Sequence, residues 1–308
     1  MNILLIGGGG FIGSGLSNFF KETGHTISII DQHPRMVKRH YSLLQLGWDR
    51  IIKELQKDKS WIIIDLAYAS VPGTSFVDPI KDFTDNLYLI NKNLEAVNQL
   101  DVSKYIYISS GGTVYGNPSK DLIDEETQNF PLSPYGITKM ACERYVNLYR
   151  ELYGLNTIIL RPSNVYGPGQ IPFRGQGLIS TALGLAYKNE PIKIFGHGTA
   201  IRDYIFIDDF CKAVSDIINH APSGEIYNVS AGLGSNINDI VALLNNVITQ
   251  DGYILLTEQL PERPFDVKSN VLDNTKLRML NNWIPTTDLE EGIKQTWQWI
   301  KTYLKTPH

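Results

Sequence analysis

Asn2-Ile-Leu-Leu-Ile6 is a short apolar run that stops at four consecutive glycines, Gly7 to Gly10; Phe11-Ile12-Gly13 then enters a helical pattern ending near Gly24. A strand, a glycine turn and a helix in that order restrict the fold sharply, because they are the surroundings of a dinucleotide fingerprint in a doubly wound α/β sheet. Gly7, Gly10 and Gly13 have the spacing Gly-x-x-Gly-x-x-Gly. The turn needs the first, backbone approach to a pyrophosphate needs the second, and close helix–strand packing needs the third. The helix N-terminus attracts the phosphate charge. Read alone, these residues also allow a glycine-rich turn without a ligand. Thr26-Ile-Ser-Ile-Ile30 is a second strand with Asp31 at its C-terminal end. An acid there accepts hydrogen bonds from a ribose 2′-hydroxyl and repels a 2′-phosphate, which favours NAD over NADP; Arg35 and Lys38 nearby pull the other way.

The pattern then repeats. Residues 32–60 say little, and His33 and His40 lack metal-ligating partners at useful spacing, so they read as solvent-facing imidazoles. Trp61-Ile-Ile-Ile-Asp65 is another buried strand, ending in Leu66-Ala67-Tyr68-Ala69, whose small residues would let backbone approach a cofactor. A helix is expected from Asp78 to Leu100, carrying Asn86. Strands follow at 105–108 and 157–160, separated by a long helix from Tyr135 to Tyr153. Strands and helices joined by short links predict an α/β fold, a Rossmann-type doubly wound parallel sheet. Gly7, Asp31, Ala67, Ser110 and Asn164 all fall beyond the carboxyl ends of its strands, where such sheets bind ligands.

Beyond Gly167 the texture changes to dense Pro and Gly, then a helix at 177–188, short extended pieces at 192–195, 204–207 and 225–229, and helices at 208–220, 236–249, 273–280 and 288–304. This predicts a smaller C-terminal α+β substrate lobe. Residues 1–163, with about 208–230, are assigned to the dinucleotide-binding domain, and 164–207 with 231–308 to the lobe.

The chemistry centres on two stretches. Ser109-Ser110-Gly111-Gly112-Thr113-Val114-Tyr115-Gly116 follows the apolar run at 105–108, and Tyr135-Gly136-Ile137-Thr138-Lys139 opens the long helix. Four residues apart, Tyr135 and Lys139 share a helix face. An ammonium near a phenol favours the phenolate, as a base working near neutral pH requires. Such a pair suits proton transfer from an alcohol beside a nicotinamide, although Tyr-x-x-x-Lys alone also describes an ordinary helix face.

Composition excludes several classes. The 308 residues are 43% hydrophobic and 19% charged, with a formal charge of −4 and a pI near 5.9, so no basic footprint for nucleic acid exists. No apolar run reaches the length of a membrane span and no secretion signal is evident, which points to a cytoplasmic protein. Cys142 and Cys211, far apart and without Cys-x-x-Cys or nearby His, read as buried thiols, with no metal expected.

Together, Gly7-x-x-Gly10-Phe-Ile-Gly13-Ser, Asp31, Asp78-Pro79 with Asn86, Ser-Ser-x-x-x-Val-Tyr-Gly116, Tyr135-x-x-x-Lys139, Arg161-Pro-x-Asn-Val-Tyr-Gly-Pro168, Arg202-Asp203-Tyr204, Asp208-Asp209 and Trp283-x-Pro285 resemble the extended short-chain dehydrogenases/reductases. The specific likeness is to the NAD-dependent sugar-nucleotide epimerase/dehydratase branch typified by UDP-glucose 4-epimerase, and it runs from Ile3 to about Trp299. The resemblance implies that Tyr135 removes the proton of a sugar 4-hydroxyl while hydride passes from C4 to NAD, that Lys139 assists it and binds the nicotinamide ribose, and that a transient 4-keto sugar takes the hydride back on its other face. It implies cofactor contacts from Gly7, Gly10, Phe11, Ile12, Gly13, Asp31, Leu66, Ala67, Asn86, Ser109, Tyr135, Lys139 and Pro162. A nucleotide-diphosphate sugar, UDP-linked, is expected near Gly111 and Asn164, with Arg202 and Arg263 as bidentate clamps. The read of Arg202 from the residues alone also allows an ion pair with Asp203 or Asp208. A homodimer through helices near 86–99 and 135–153 is implied as well.

The chain departs from this pattern at three places. Gly111 stands where the catalytic Ser or Thr is usual, so another group must donate to the sugar oxygen. If the chain stays extended, Thr113 and Ser109 share the facing of residue 111 by strand alternation; Thr113 is the expected substitute, with Ser110 the other candidate. Asp65-Leu66-Ala67-Tyr68 replaces His-Leu-Ala-Ala, placing a carboxylate near the cofactor, and Arg263-Pro264-Phe265-Asp266 replaces Arg-x-Gly-Asp. Gly112 and Thr113 occupy the positions where a 4,6-dehydratase carries Asp-Glu, so elimination lacks its acid and base. The expected activity is 4-epimerisation of a UDP-hexose or UDP-N-acetylhexosamine. An NAD(P)H-dependent reductase of a nucleotide 4-keto-6-deoxy sugar and a non-catalytic dinucleotide-binding protein are the alternatives.

Overall fold

Ile3, Leu4, Leu5 and Ile6 are all buried, as are Ile62, Ile63 and Ile64. A strand apolar on both faces belongs in the middle of a parallel sheet covered by helices on each side. In the computed structural model, which describes residues 1–32, 39–262 and 267–306, that is where these strands lie. In chain order the first elements are β1 (Asn2–Ile6), α1 (Phe11–Glu22), β2 (Thr26–Asp31), β3 (His40–Ser42), α2 (Leu43–Leu55), β4 (Trp61–Asp65), α3 (Pro72–Val77), α4 (Pro79–Val97) and β5 (Val102–Ile108). There follow α5 (Gly111–Val114), α6 (Pro134–Tyr153), β6 (Thr157–Pro162), β7 (Asn164–Tyr166), α7 (Leu178–Lys188), β8 (Ile192–Phe195), β9 (Ile201–Phe206), α8 (Ile207–His220) and β10 (Ile226–Val229). The last are β11 (Gly234–Asn236), α9 (Ile237–Ile248), β12 (Thr257–Leu260), β13 (Ser269–Asn270), α10 (Thr275–Asn281) and α11 (Leu289–Lys305).

The chain divides into two units. One comprises residues 1–110, 134–161 and 214–227, the other 111–133, 162–213 and 228–308. The first is built on a seven-stranded sheet in the order β10-β6-β5-β4-β1-β2-β3. The pairs β1/β2, β1/β4, β2/β3, β4/β5 and β5/β6 are parallel. The order in which successive strands are added runs one way from β1 to β3 and the other way from β4 to β6, so the switch point, where open α/β sheets bind ligands, lies between β1 and β4. Leu4, Ile6, Trp61, Ile63, Tyr105 and Tyr107 pack against Ile90 and Leu94 of α4 and Cys142 and Val146 of α6. Helix ends follow local chemistry. Asp78 accepts from the Lys81 N–H at 2.9 Å ahead of Pro79, and Pro134 opens α6.

In the second unit β9 pairs with β7, β11 and β13, and β8 pairs with β12. Helices α7, α9 and α11 pack on one another, with Tyr187, Tyr253 and Trp297 in mutual ring contact. Asp288 caps α11 by accepting from Glu291 N–H at 2.8 Å, with Glu290 and Glu291 in its first turn.

The expected helices and strands are present within a few residues. Several features were not expected. Residues 40–55 form β3 and α2, so His40 lies half-buried in a strand and not in solvent. Helix α3 at 72–77 and the short strands β11, β12 and β13 are additional. The stretch at 111–114 is one helical turn, not extended chain, so the alternation that grouped Thr113 with Ser109 does not apply. His33, Arg35, Lys38 and Arg263 with its loop lie outside the described residues.

Candidate active site

The glycine turn joins β1 to α1 at the switch point. Gly7 has φ +74°, and a Cβ there would stand 2.7 Å from both N and Cα of Ala67. Only glycine allows the two backbones to meet so closely. Leu66 N–H donates to Ile6 O at 2.8 Å and Gly7 N–H to Ile30 O at 2.8 Å, which locks the turn to its neighbouring strands. A Cβ on Gly13 would meet Gly8 Cα at 2.6 Å, so this glycine seats α1 on the turn. At Gly10 the nearest atom to such a Cβ is 3.9 Å away, so its freedom is not demanded by the protein's own packing. Gly10 is also the N-cap of α1 and supplies no side-chain capping bond; with half-exposed Phe11 and Ile12 beginning the helix, its first N–H groups suit an anion. Asp31, at the end of β2, accepts from Gly9 N–H at 2.8 Å and Gln32 N–H at 2.7 Å. A carboxylate accepts about four hydrogen bonds, so lone pairs remain for a ribose diol. This arrangement fits a dinucleotide.

At the ends of β4 and β5 lies the tyrosine–lysine pair. Residues Tyr135, Lys139, Cys142 and Val146 form the buried face of α6. Lys139 is 3% exposed; its ammonium donates to Ile108 O at 2.9 Å and lies 5.9 Å from the centre of the Tyr135 ring. Burial pushes its pKa down to about 8, with nearby Cys142, Asp65, Glu143 and Asp82 opposing the fall. Tyr135 is 8% exposed, and its N–H donates to Ser75 Oγ at 3.2 Å.

Several expected cofactor contacts have other work. Ser109 Oγ donates to Glu143 Oε1 at 2.5 Å. Glu143 also receives Arg161 Nε at 3.0 Å and Nη2 at 2.7 Å, a buried bidentate pair. Asn86 Oδ1 accepts from Ala69 N–H at 2.7 Å and its Nδ2 donates to Asp82 O at 2.7 Å, pinning the loop after β4. The Asp65 carboxylate, expected near the cofactor, is fully buried and turned into the core, where it accepts from Tyr105 Oη at 2.7 Å, Asn93 Nδ2 at 2.9 Å and Ala67 N–H at 3.0 Å. Burial holds its pKa above the usual carboxylate range despite these donors.

The second unit carries most of the remaining candidates. Gly111 begins α5, and its carbonyl accepts from Asn270 Nδ2 at 3.0 Å. Thr113 Oγ1 is buried and makes no hydrogen bond among the described residues. Ser110, in the first unit, is half-buried, and Pro162 closes β6. Asn164 and Arg202 stand on the adjacent strands β7 and β9; Asn164 Nδ2 donates to Asp203 O at 2.8 Å and Arg202 Nη1 to Ile201 O at 2.8 Å. The Asp203 carboxylate accepts from the N–H groups of Ala231, Gly232 and Leu272 at 3.1, 3.1 and 3.3 Å.

Glu143 was not named from sequence, and Arg161 and Tyr68 entered only as members of motifs, without a role of their own. For Glu143 a signal existed: Tyr135, Lys139 and Glu143 continue one i, i+4 row along α6.

A glycine turn at the switch point of a Rossmann-type sheet, with a Tyr–Lys pair on the helix after β5, defines a dinucleotide-dependent enzyme fold of the extended short-chain dehydrogenase/reductase kind. Residues 3–230 match the NAD-dependent epimerase/dehydratase family, and the chain belongs to it. Among its relatives is the UDP-glucose 4-epimerase of Mycolicibacterium smegmatis, 31% identical, with 98% of this chain and 99% of that protein aligned. The crystal structure of Thermotoga maritima UDP-glucose 4-epimerase with UDP-glucose superimposes with a TM-score of 0.90 at 30% identity, covering 99% of this chain and 100% of the other. The UDP-glucuronic acid 4-epimerase of Bacillus cereus, solved with UDP-glucuronic acid and NAD, gives 0.86 at 25% identity over 98% and 100% of the two chains.

Proposed function

We propose that this chain is a 4-epimerase of a UDP-linked hexose that works with NAD. The observation that carries the reading is the buried Lys139 ammonium, fixed on Ile108 O at the end of β5 beside Tyr135. A bound NAD supplies a reversible hydride acceptor, so that a C4 carbinol can become a ketone and return in either configuration. The Tyr135 phenolate takes the proton of the 4-hydroxyl and gives it back, and the Lys139 charge favours that phenolate in both directions. Gly7, Gly10 and Gly13 admit the diphosphate of the dinucleotide, and Asp31 accepts from its ribose diol. Asn164 and Arg202 are assigned to the diphosphate of the nucleotide sugar. With glycine at 111, the Thr113 hydroxyl, which has no hydrogen-bond partner among the described residues, is assigned the hydrogen bond to the sugar oxygen.

Relatives acting on UDP-glucose and on UDP-glucuronic acid are both similar to this chain, so the test is a panel. Incubation with the C4 pairs of UDP-hexose, UDP-hexuronate and UDP-N-acetylhexosamine, followed by chromatographic separation, should show interconversion of one pair without net change in NADH absorbance. Stoichiometric loss of NAD(P)H would convert the assignment to a reductase. Tyr135→Phe should abolish turnover and leave NAD binding within about threefold; retained activity would remove the proposed base.

A homodimer is part of the same proposal. Helices α4 and α6 pack side by side and leave Ile80, Phe83, Tyr88, Leu148 and Leu152 exposed, apolar surface of the kind that a second copy covers. Light scattering at micromolar concentration should give twice the chain mass.

A further inference from the structure

The loop after β4 carries a side chain that the proton chemistry above does not use. Ala67 N–H is tied to Asp65 and Ala69 N–H to Asn86, so Tyr68 is held between two fixed neighbours. Its ring covers the Lys139 ammonium, with Nζ 4.0 Å from the ring centre, closer than the rings of Tyr107 at 5.1 Å or Tyr135 at 5.9 Å. The same ring meets Tyr135 edge-on, with centres 4.8 Å apart and planes at 64°. Its hydroxyl donates to Tyr135 O at 3.3 Å. In the pattern this chain resembles, the position is alanine, which could make none of these contacts.

We propose that Tyr68 is a positioning residue, whose ring face clamps the Lys139 ammonium and whose edge fixes the Tyr135 ring for proton transfer. The inference rests on the reading of Tyr135 and Lys139 as the proton-transfer pair. An aromatic face carries the negative part of the ring quadrupole and attracts an ammonium but not a neutral amine. The attraction strengthens away from water, and Lys139 is nearly inaccessible. It therefore opposes the loss of charge that burial favours. Among the described residues, the other groups facing the ammonium are Asp65 at the end of β4, Asp82 on α4, Tyr107 on β5, and Tyr135, Cys142 and Glu143 on α6 itself. Of the three nearby rings, Tyr68 is the closest.

The test follows the charge on Lys139 directly. Protein labelled with lysine carrying carbon-13 at Cε is titrated by NMR, the Lys139 signal being assigned by its loss in Lys139→Met. Tyr68→Phe, which keeps the face, should leave the titration within about 0.3 pH unit of the parent. Tyr68→Leu should lower it by about one pH unit, a tenfold loss of preference for the charged form. The alkaline limb of kcat should move down by the same amount, with KM for the UDP-sugar changed less than about threefold. Replacement of Tyr68 by 3,5-difluorophenylalanine keeps the shape, weakens the quadrupole and should give an intermediate shift; it decides the matter where the leucine variant does not fold. A Lys139 titration unmoved by both replacements overturns the clamp. A titration that moves while the kcat limb stays still supports the clamp and removes Lys139 from the proton chemistry.

Discussion

Arg161→Leu should destabilise the first unit by about 3–5 kcal/mol, the usual cost of leaving a buried charge without its partner. The Glu143 side chain is 4% exposed and that of Arg161 is 3% exposed. Among the described residues, two of the three hydrogen bonds that the carboxylate receives come from this one guanidinium; the third is from Ser109, a neutral donor, and the Lys139 ammonium acts on the carboxylate through space without a hydrogen bond. Removing both charges is a different operation. Glu143→Leu with Arg161→Leu replaces an ion pair by apolar volume, an exchange that is often neutral or favourable, so the double variant should recover at least about 2 kcal/mol of the single variant's loss. Urea unfolding followed by tryptophan fluorescence, analysed as a double-mutant cycle with Glu143→Leu alone, measures the coupling. A single variant within about 1 kcal/mol of the parent, or a double variant no more stable than Arg161→Leu, would refute the account of this network. Because Ser109 follows the carbonyl that holds Lys139, the single variant should also lose more kcat than the double.

Three further outcomes are expected. Gly13→Ala must displace Gly8 backbone from 2.6 Å and should cost about 2 kcal/mol or more of stability, whereas Gly10→Ala, with 3.9 Å of clearance, should fold normally but weaken NAD binding about tenfold, as read by isothermal titration. Burial pushes the Asp203 carboxyl from the model-peptide value of 3.8 up to about 6. The folded state therefore binds this proton more tightly, and the group's contribution, present below pH 3.8, is lost as pH rises through 6; on the order of 3 kcal/mol is involved, so Asp203→Asn should gain on the parent between pH 4 and 7 in unfolding experiments at each pH. Thr113→Val should lower kcat more than Ser110→Ala, by about tenfold or more; the reverse order would move the hydroxyl donor to Ser110.

The sheet was legible because its central strands are apolar on both faces, and parallel pairing is the arrangement that hides both. What escaped notice lacked that signature. Helix α2 is interrupted at Gly47, which sits at φ 67° and ψ 163°, so no uninterrupted helical period runs through 43–55. Thr257-Glu-Gln-Leu260 is polar and mostly exposed in a two-stranded ribbon, and edge pieces of that kind show no alternation. The turn at 111–114 contains two glycines, a threonine and a valine, residues that give a helix little support, so the sequence there reads as extended chain. Tyr135 and Lys139 could be paired from sequence because four residues of helix bring them onto one face. Tyr68 could not be joined to them, since 67 residues separate it from Tyr135 and only the fold brings the rings together.

The buried carboxylate of Asp65 also bears on how this protein could be re-engineered. It is the common acceptor for a phenol on β5, an amide on α4 and the main chain of its own loop. A designer who wished to install the histidine usual at position 65 would strand Tyr105 and Asn93 in a dry interior, and would have to exchange all three residues together.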